Sequence, residues 1–253
     1  MVPKLIPVAV DTDGMLIDRL PSRARVVCVT PSHQFPLGSA MSMTRRMALL
    51  QFARDNDTVV VEDDYDCEFR FDGRPLDALQ TIDRHESVFY VGTFSKSMFP
   101  EIRTGYIVAP PWAVEALAAA KQDCDLHSPF LVQHALAAFI AEGHLARHIR
   151  KMRSVYSRRR RRLLDGLERD LARWLCPIPS FAGLHVSALL RDSEDAEEVV
   201  RRARDLGVGV GSVGRYCVGR PDTQGLIFGY GAIGETAIAG GLSQLRRVWR
   251  RGS

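Results

Sequence analysis

Hydrophobic and polar positions alternate in blocks along the first part of the chain. Short apolar runs occupy residues 4–10, 25–30, 58–62, 88–91 and 106–109, each bounded by turn-forming or charged residues. Runs of this length predict strands, and their near-continuous apolar character predicts burial on both faces, as in a mostly parallel sheet. Asp11-Thr12-Asp13-Gly14 reads as a turn, and residues 31–38 as a loop set by two prolines and a glycine. Between them and the third run lies a helical pattern, capped by Ser42 or Thr44, with Met47, Leu50, Phe52 and Ala53 on its buried side.

From Pro111 the period changes to that of helices. Residues 112–121 and 128–141 form two, the second with Pro129 in its first turn. A long helix is predicted over residues 144–174, with Met152, Val155, Tyr156, Leu163, Leu164, Leu167 and Leu171 as its apolar stripe. Cys176-Pro177-Ile178-Pro179 breaks it. Strands at 184–190, 208–213 and 226–230, and helices at 196–206 and 235–248, then make a small α+β unit. The reading is α/β: a large domain with a mostly parallel sheet over residues 1–176 and a small C-terminal α+β domain over 177–253.

Composition fits a folded globule of one large or two smaller domains: 253 residues, 46% hydrophobic and 25% charged. No apolar run approaches the roughly 20 residues needed to cross a bilayer, and the N-terminus lacks an export signal. Cys28, Cys67, Cys124, Cys176 and Cys217 lie at no metal-ligand spacing, which points to reduced thiols in a cytoplasm. The net charge of +4 is uneven, because Arg158 to Arg162 are five consecutive arginines. They cannot all share one direction on a helix. A solvated face with partners such as Asp165 and Glu168 accounts for most of them, and a nucleic-acid contact is the alternative.

In open α/β sheets ligands bind beyond the carboxyl ends of strands. The polar clusters fall there: His33 and Gln34, then Asp63, Asp64 and Tyr65, then Thr93, Ser95 and Lys96, with Arg103 seven residues past the lysine. A lysine amine can form a Schiff base, and an arginine with two hydroxyls can hold a phosphate. A pyridine ring used as an electron sink needs a carboxylate at its ring nitrogen and takes a donor at its phenolic oxygen; Asp63 and Tyr65, alternating along an extended segment, share the side where both could act. Singly, each has an ordinary reading: a solvated lysine, a turn carboxylate in an acidic run, an interfacial tyrosine. Three segments at one sheet edge favour a site.

The segments TPSHQFPLG (30–38), VVVEDDYDCEFRF (59–71) and GTFSKSMFPEIRTGY (92–106) resemble the aminotransferase-like domain of MocR-type regulators, members of the GntR superfamily that carry a fold-type I pyridoxal-phosphate domain. The resemblance implies pyridoxal 5'-phosphate held as an internal aldimine on Lys96. It implies Asp63 at the pyridine nitrogen, Tyr65 at the phenolic oxygen, and Arg103 with Thr93 and Ser95 at the phosphate. His33 falls near the ring, where a loop-fixing role outweighs that of a general base. Also implied are a cytoplasmic homodimer, a small-molecule effector or amino acid as ligand, and DNA contact only through a winged-helix part.

Two departures temper this. Family members begin with that winged helix, a linker and a first aminotransferase segment with a glycine-rich phosphate turn, whereas this sequence starts at the strand beyond them; a truncated large domain is therefore expected. Related aminotransferases also place a carboxylate-binding arginine where this sequence has Ile227, in the register set by Gly229, and isoleucine cannot replace a bidentate guanidinium. Arg215 or Arg220 could supply the charge from a neighbouring loop. The expectation is an effector-sensing and dimerisation domain, with a pyridoxal-phosphate-dependent aminotransferase, or a degenerate fragment that binds the cofactor weakly, as the alternatives.

Overall fold

A computed structural model describes residues 4–71, 77–192, 194–219 and 223–250. The chain divides into two compact units. One comprises Met1–Gln34, Ala40–Glu68 and Arg74–Lys151; the other comprises Phe35–Ser39, Phe69–Gly73 and Met152–Ser253.

In the first unit, β1 (Val10–Asp11) and β2 (Gly14–Met15) form a tight antiparallel hairpin. Its turn is held by the Asp13 N–H donating to Asp11 Oδ1 at 2.8 Å, and Gly14 takes φ +102°, which suits only glycine. The strand expected over residues 4–10 is thus reduced to its last residue, Val10: only Val10 and Asp11 find a pairing partner, and Leu5 is 90% exposed.

The main sheet has the order β3-β4-β5-β6. Strands β3 (Val26–Val29), β4 (Val59–Asp64) and β5 (Val88–Thr93) are parallel, and β6 (Gly105–Val108) returns antiparallel beside β5. Helix α1 (Met43–Asn56) makes the crossover from β3 to β4. Ser42 caps it, accepting from the Arg45 N–H at 3.4 Å, and it stops at Asp57 in the left-handed region. Val27, Val29, Leu49, Leu50, Ala53, Val60, Leu79 and Val88 form the core.

Two expectations fail here for local reasons. Met47 is 53% exposed and Phe52 only half-buried, because the inward row of α1 is Arg46, Leu49, Leu50 and Ala53. Arg46 is buried because its guanidinium spans three backbone carbonyls, donating to Met41 (3.0 Å), Pro31 (2.9 Å) and Asp77 (2.8 Å). Nor are the strands all covered on both faces. Val26 and Cys28 of β3 and all four residues of β6 are exposed, these being the two edge strands.

Glu62 of β4 points into the core and accepts the N–H groups of Leu79 (2.9 Å) and Gln80 (3.0 Å), anchoring the short helix α2 (Leu79–Ile82). Helices α3 (Pro111–Asp125) and α4 (Phe130–Ala141) follow, and α5 (His144–Asp170) begins in this unit and continues into the second.

The second unit packs α5 from Met152 onward against an antiparallel sheet and α6 (Ala196–Asp205). Chain order gives β7 (Leu175–Pro177), β8 (His185–Leu190), β9 (Gly211–Ser212) and β10 (Gly225–Gly229); the spatial order is β7-β8-β10-β9. Helix α5 ends at Asp170, short of the expected 174, and residues 175–177, the last two of them expected as a breaker, pair with β8. Pro177 is tolerated because β7 is an edge strand. The strand expected over 208–213 shrinks to Gly211–Ser212. Tyr156, Leu163, Leu167, Leu171, Val186, Val199, Leu226, Phe228 and Tyr230 are central to the core, closed by α7 (Glu235–Leu245) and α8 (Arg247–Arg250).

Candidate cofactor site

The pleat of β4 sorts its side chains. Val60, Glu62 and Asp64 are buried on one side, which leaves Asp63, and Tyr65 beyond the strand end, on the other. The ladder places Asp63 opposite Val91 and Asp64 opposite Gly92, so β5 reaches Thr93 just past the carboxyl end of β4. Thr93 in turn faces Gly105 of β6. The loop between β5 and β6, residues 94–104, therefore hangs beyond the carboxyl ends of both strands and carries Ser95, Lys96 and Arg103.

That loop is tied to itself. Phe94 N–H donates to Thr104 O (3.0 Å), Ser95 N–H to Thr93 Oγ1 (3.1 Å), and Met98 N–H to Phe94 O (2.9 Å). A 3-10 turn, Pro100–Ile102, ends at Arg103 with φ 45°. At Gly105 a Cβ would stand 2.7 Å from Gly92 O, so the strand pair closes the loop only with glycine there.

Asp63, Lys96 and Arg103 are exposed, and among the described residues none of their side chains makes an ion pair or hydrogen bond. Partial desolvation, and then the neighbouring carboxylates Asp64 and Asp66, push the Asp63 carboxyl above the usual range. Such a carboxylate gains from a cationic N–H placed beside it. Burial, reinforced by Asp66, Asp63 and Asp64, also raises the Tyr65 phenol, so it remains a donor across the accessible pH range. It donates to His33 O at 2.9 Å. His33 is itself buried, with Nδ1 3.0 Å from Asp66 Oδ2. Of the predicted residues, Ser95, Lys96 and Arg103 share one loop with Thr93 at the strand end that leads into it, Asp63 and Tyr65 share one side of the adjacent strand end, and His33 is set behind Tyr65 in a buried pair.

This donor set matches pyridoxal phosphate group for group: an amine, a carboxylate for a ring N–H, a phenol for an oxyanion, and a guanidinium with two hydroxyls for a phosphate. Next to Lys96, Ser97 Oγ is buried without a hydrogen-bond partner among the described residues. Sequence reasoning passed over Ser97, though it is a third hydroxyl flanking the lysine. It also missed Asp66, whose signal was its place in the acidic run, and Tyr90, whose hydroxyl donates to Asp64 Oδ2 at 2.8 Å and fixes the inward carboxylate at the strand end.

In the second unit, Ile227 is buried in β10, opposite Ser187 and Gly211. Arg215 is committed elsewhere, its guanidinium donating to Glu197 at 3.0 and 3.2 Å. Arg220 lies outside the described residues.

A family profile, aminotransferase class I and II, matches residues 8–222. The chain belongs to the aminotransferase class I and II family. Among curated relatives, it is 38% identical to the probable rhizopine catabolism regulatory protein MocR of Rhizobium meliloti, over 97% of this chain and 50% of that protein. It is 35% identical to the HTH-type transcriptional regulator YhdI of Bacillus subtilis, over 96% of this chain and 52% of the relative. The chain thus spans about half the length of the regulators it matches. Among solved structures it is similar to LysN, the alpha-aminoadipate aminotransferase of Thermus thermophilus complexed with N-(5'-phosphopyridoxyl)-L-leucine: TM-score 0.89, 29% identity, covering 98% of this chain and 66% of that one. This member of the class I and II family resembles the MocR-type regulators in sequence and the aminotransferases in fold. No helix among the described residues is long and apolar enough to cross a membrane.

Proposed function

We propose that this chain is the pyridoxal-phosphate-binding, aminotransferase-like effector and dimerisation domain of a MocR-type transcriptional regulator. The observation that carries the reading is a set of charged side chains unpaired among the described residues, Asp63, Lys96 and Arg103, at the carboxyl ends of β4 and β5, where Tyr65 also lies. Lys96 Nζ is the point of covalent attachment. Asp63 holds a proton on the ring nitrogen, its raised affinity for positive charge being the driving force. With the cofactor bound, the Tyr65 O–H would turn from the His33 carbonyl to the phenolic oxygen, and Arg103, with Thr93 and Ser95, would bind the phosphate. When bound, the cofactor supplies an aldehyde on an electron-withdrawing ring. His33 and Asp66 hold Tyr65 from behind. The protein acts in the cytoplasm as a homodimer that responds to a small molecule, and DNA is read by a winged-helix part outside this chain.

Transamination is the second reading, favoured by the solved aminotransferase neighbours. Ile227 at the carboxylate position, with Arg215 held by Glu197, argues against an ordinary amino acid as substrate.

The test is absorbance of the purified chain titrated with pyridoxal phosphate, then with amino acids and amines. A new visible-region band, lost in Lys96→Ala, supports the site; a band that survives Lys96→Ala overturns the assignment. Keto-acid release on adding an amino acid establishes the second reading over the first.

A further inference from the structure

The arginine-rich helix has no part in the cofactor site. Between residues 144 and 164 the chain carries eight arginines and one lysine and no Asp or Glu, while the rest holds 25 basic against 30 acidic residues. Over its whole length α5 carries nine arginines and one lysine against Asp165, Glu168 and Asp170, all three acids in its last turns, while the rest of the chain holds 24 basic against 27 acidic residues. The structure sorts its cations. Arg159 turns inward to the carbonyls of Tyr230 and Gly231, and Arg160 to that of Ser180. Arg158 is exposed and pairs with Glu235 at 3.2 Å.

Arg147, Arg150, Lys151, Arg161 and Arg162 are exposed. Among the described residues, Arg150, Lys151, Arg161 and Arg162 make no hydrogen bond or ion pair. Their spacing, with Ser154 and Arg158 between, follows the helical repeat and keeps them on one solvent-facing side of α5. From Arg147 to Arg162 the row runs about 22 Å at 1.5 Å per residue. A B-form duplex carries one charge per roughly 1.7 Å of axis, so the row lies along about 13 phosphates.

The composition of the row decides the kind of partner. It holds no exposed aromatic or leucine that could enter a bilayer. It offers no apolar anchor of the sort that carries protein–protein affinity. Arginine matches phosphate oxygens by its planar fork. We infer that the solvent face of α5 is a sequence-independent docking surface for the phosphate backbone of a nucleic-acid duplex. The inference rests on the reading of the chain as part of a DNA-bound regulator, in which this face would add affinity but no sequence preference.

The experiment is fluorescence anisotropy of the whole chain with a mixed-sequence duplex of about 30 base pairs, at salt from about 50 to about 200 mM. The triple variant Arg150→Ser/Arg161→Ser/Arg162→Ser should bind about tenfold more weakly or worse at low salt, and the slope of log K against log salt should fall by about 2.7, at about 0.9 per lost phosphate contact. The matching triple lysine variant should keep most of the slope, which separates lost charge from lost folding. Unchanged affinity and slope in the serine variant would overturn the inference, as would tighter capture by phosphatidylserine vesicles than by duplex. A chain that gives the Lys96-dependent band yet ignores duplex refutes this surface and leaves the cofactor reading intact; duplex binding without the band does the reverse.

Discussion

Arg46 is the side chain whose loss the structure prices most clearly. Replacing it with methionine keeps an unbranched apolar stem of similar girth and removes the guanidinium. Three carbonyls lose a donor: Met41, Pro31 and Asp77. Pro31 O keeps a partner, since the Met41 N–H also donates to it at 2.8 Å. Among the described residues two carbonyls are then left without a donor, the Met41 one in a fully buried bond and the Asp77 one in a partly buried bond. At about 1 to 3 kcal/mol for each unsatisfied group, the low end applying to Asp77, the expected loss is about 3 kcal/mol. Against a domain stability of roughly 5 to 15 kcal/mol this is a large fraction. Arg46→Lys, with one ammonium in place of a three-way fork, should recover about half of it. Urea unfolding of the whole chain, with both variants compared at unchanged m-value, measures the loss. A loss below about 1 kcal/mol in Arg46→Met would mean that water or backbone rearrangement satisfies those carbonyls, and the account of the buried arginine would be wrong.

Other outcomes can be checked alongside. Gly105→Ala should cost about 2 kcal/mol in the same assay, since its Cβ would meet a backbone oxygen 2.7 Å away; Gly166→Ala, meeting only the tip of Leu242 and gaining helix propensity, should be close to neutral. Burial raises the Glu62 carboxyl above its ordinary 4.5, against the lowering effect of the Gln80 and Leu79 N–H groups and Arg46. A folded-state value above the unfolded one stabilises below the unfolded value and is lost as pH rises through the folded one. The wild type should therefore lose stability relative to Glu62→Gln as pH is raised from about 4 toward neutrality, and a gap that widens in its favour would contradict the sign. A thiol reagent should label the exposed Cys28, Cys124, Cys176 and Cys217 well before Cys67, whose thiol is raised by burial, Asp64 and Glu68; equal labelling rates in mass spectra would refute this.

The strands, their order of appearance and most helices were legible because period and punctuation signal them locally. What failed was burial. Val26 and Cys28 look like members of a doubly covered strand, yet β3 is an edge, and edge position is fixed by which strands come to lie beside it and not by its own residues. Met47 and Arg46 are adjacent, and hydrophobicity alone points the wrong one inward; only the three carbonyls around Arg46 reverse the choice, and two of those carbonyls lie five and fifteen residues away along the chain. The slip at residues 175–177 has the same origin. Proline reads as a breaker, but at an edge strand its missing N–H is no loss.

The convergence of the candidate residues on one sheet edge was legible for a different reason. Asp63 and Tyr65 alternate on one strand, and the Lys96 loop leaves the end of its neighbour, so parallel pairing alone is enough to bring them to one edge. The groups behind that edge were not legible. Asp66 reads as one more acid in a run until His33, thirty-three positions away, is seen 3.0 Å from it. Ser97 reads as a loop serine until its hydroxyl is seen to be buried and unsatisfied. The same logic separates attachment from turnover. On the proposed reading, attachment needs the Lys96 amine with Asp63 and Arg103, all within one unit and with side chains unpaired among the described residues. Turnover of an amino acid needs, in addition, a cation for its carboxylate. In the second unit Ile227, where the register set by Gly229 would have that cation, is buried, and Arg215 is paired with Glu197. On the proposed reading, a chain with the covalent anchor and no arginine at position 227 favours holding and sensing a ligand over converting one.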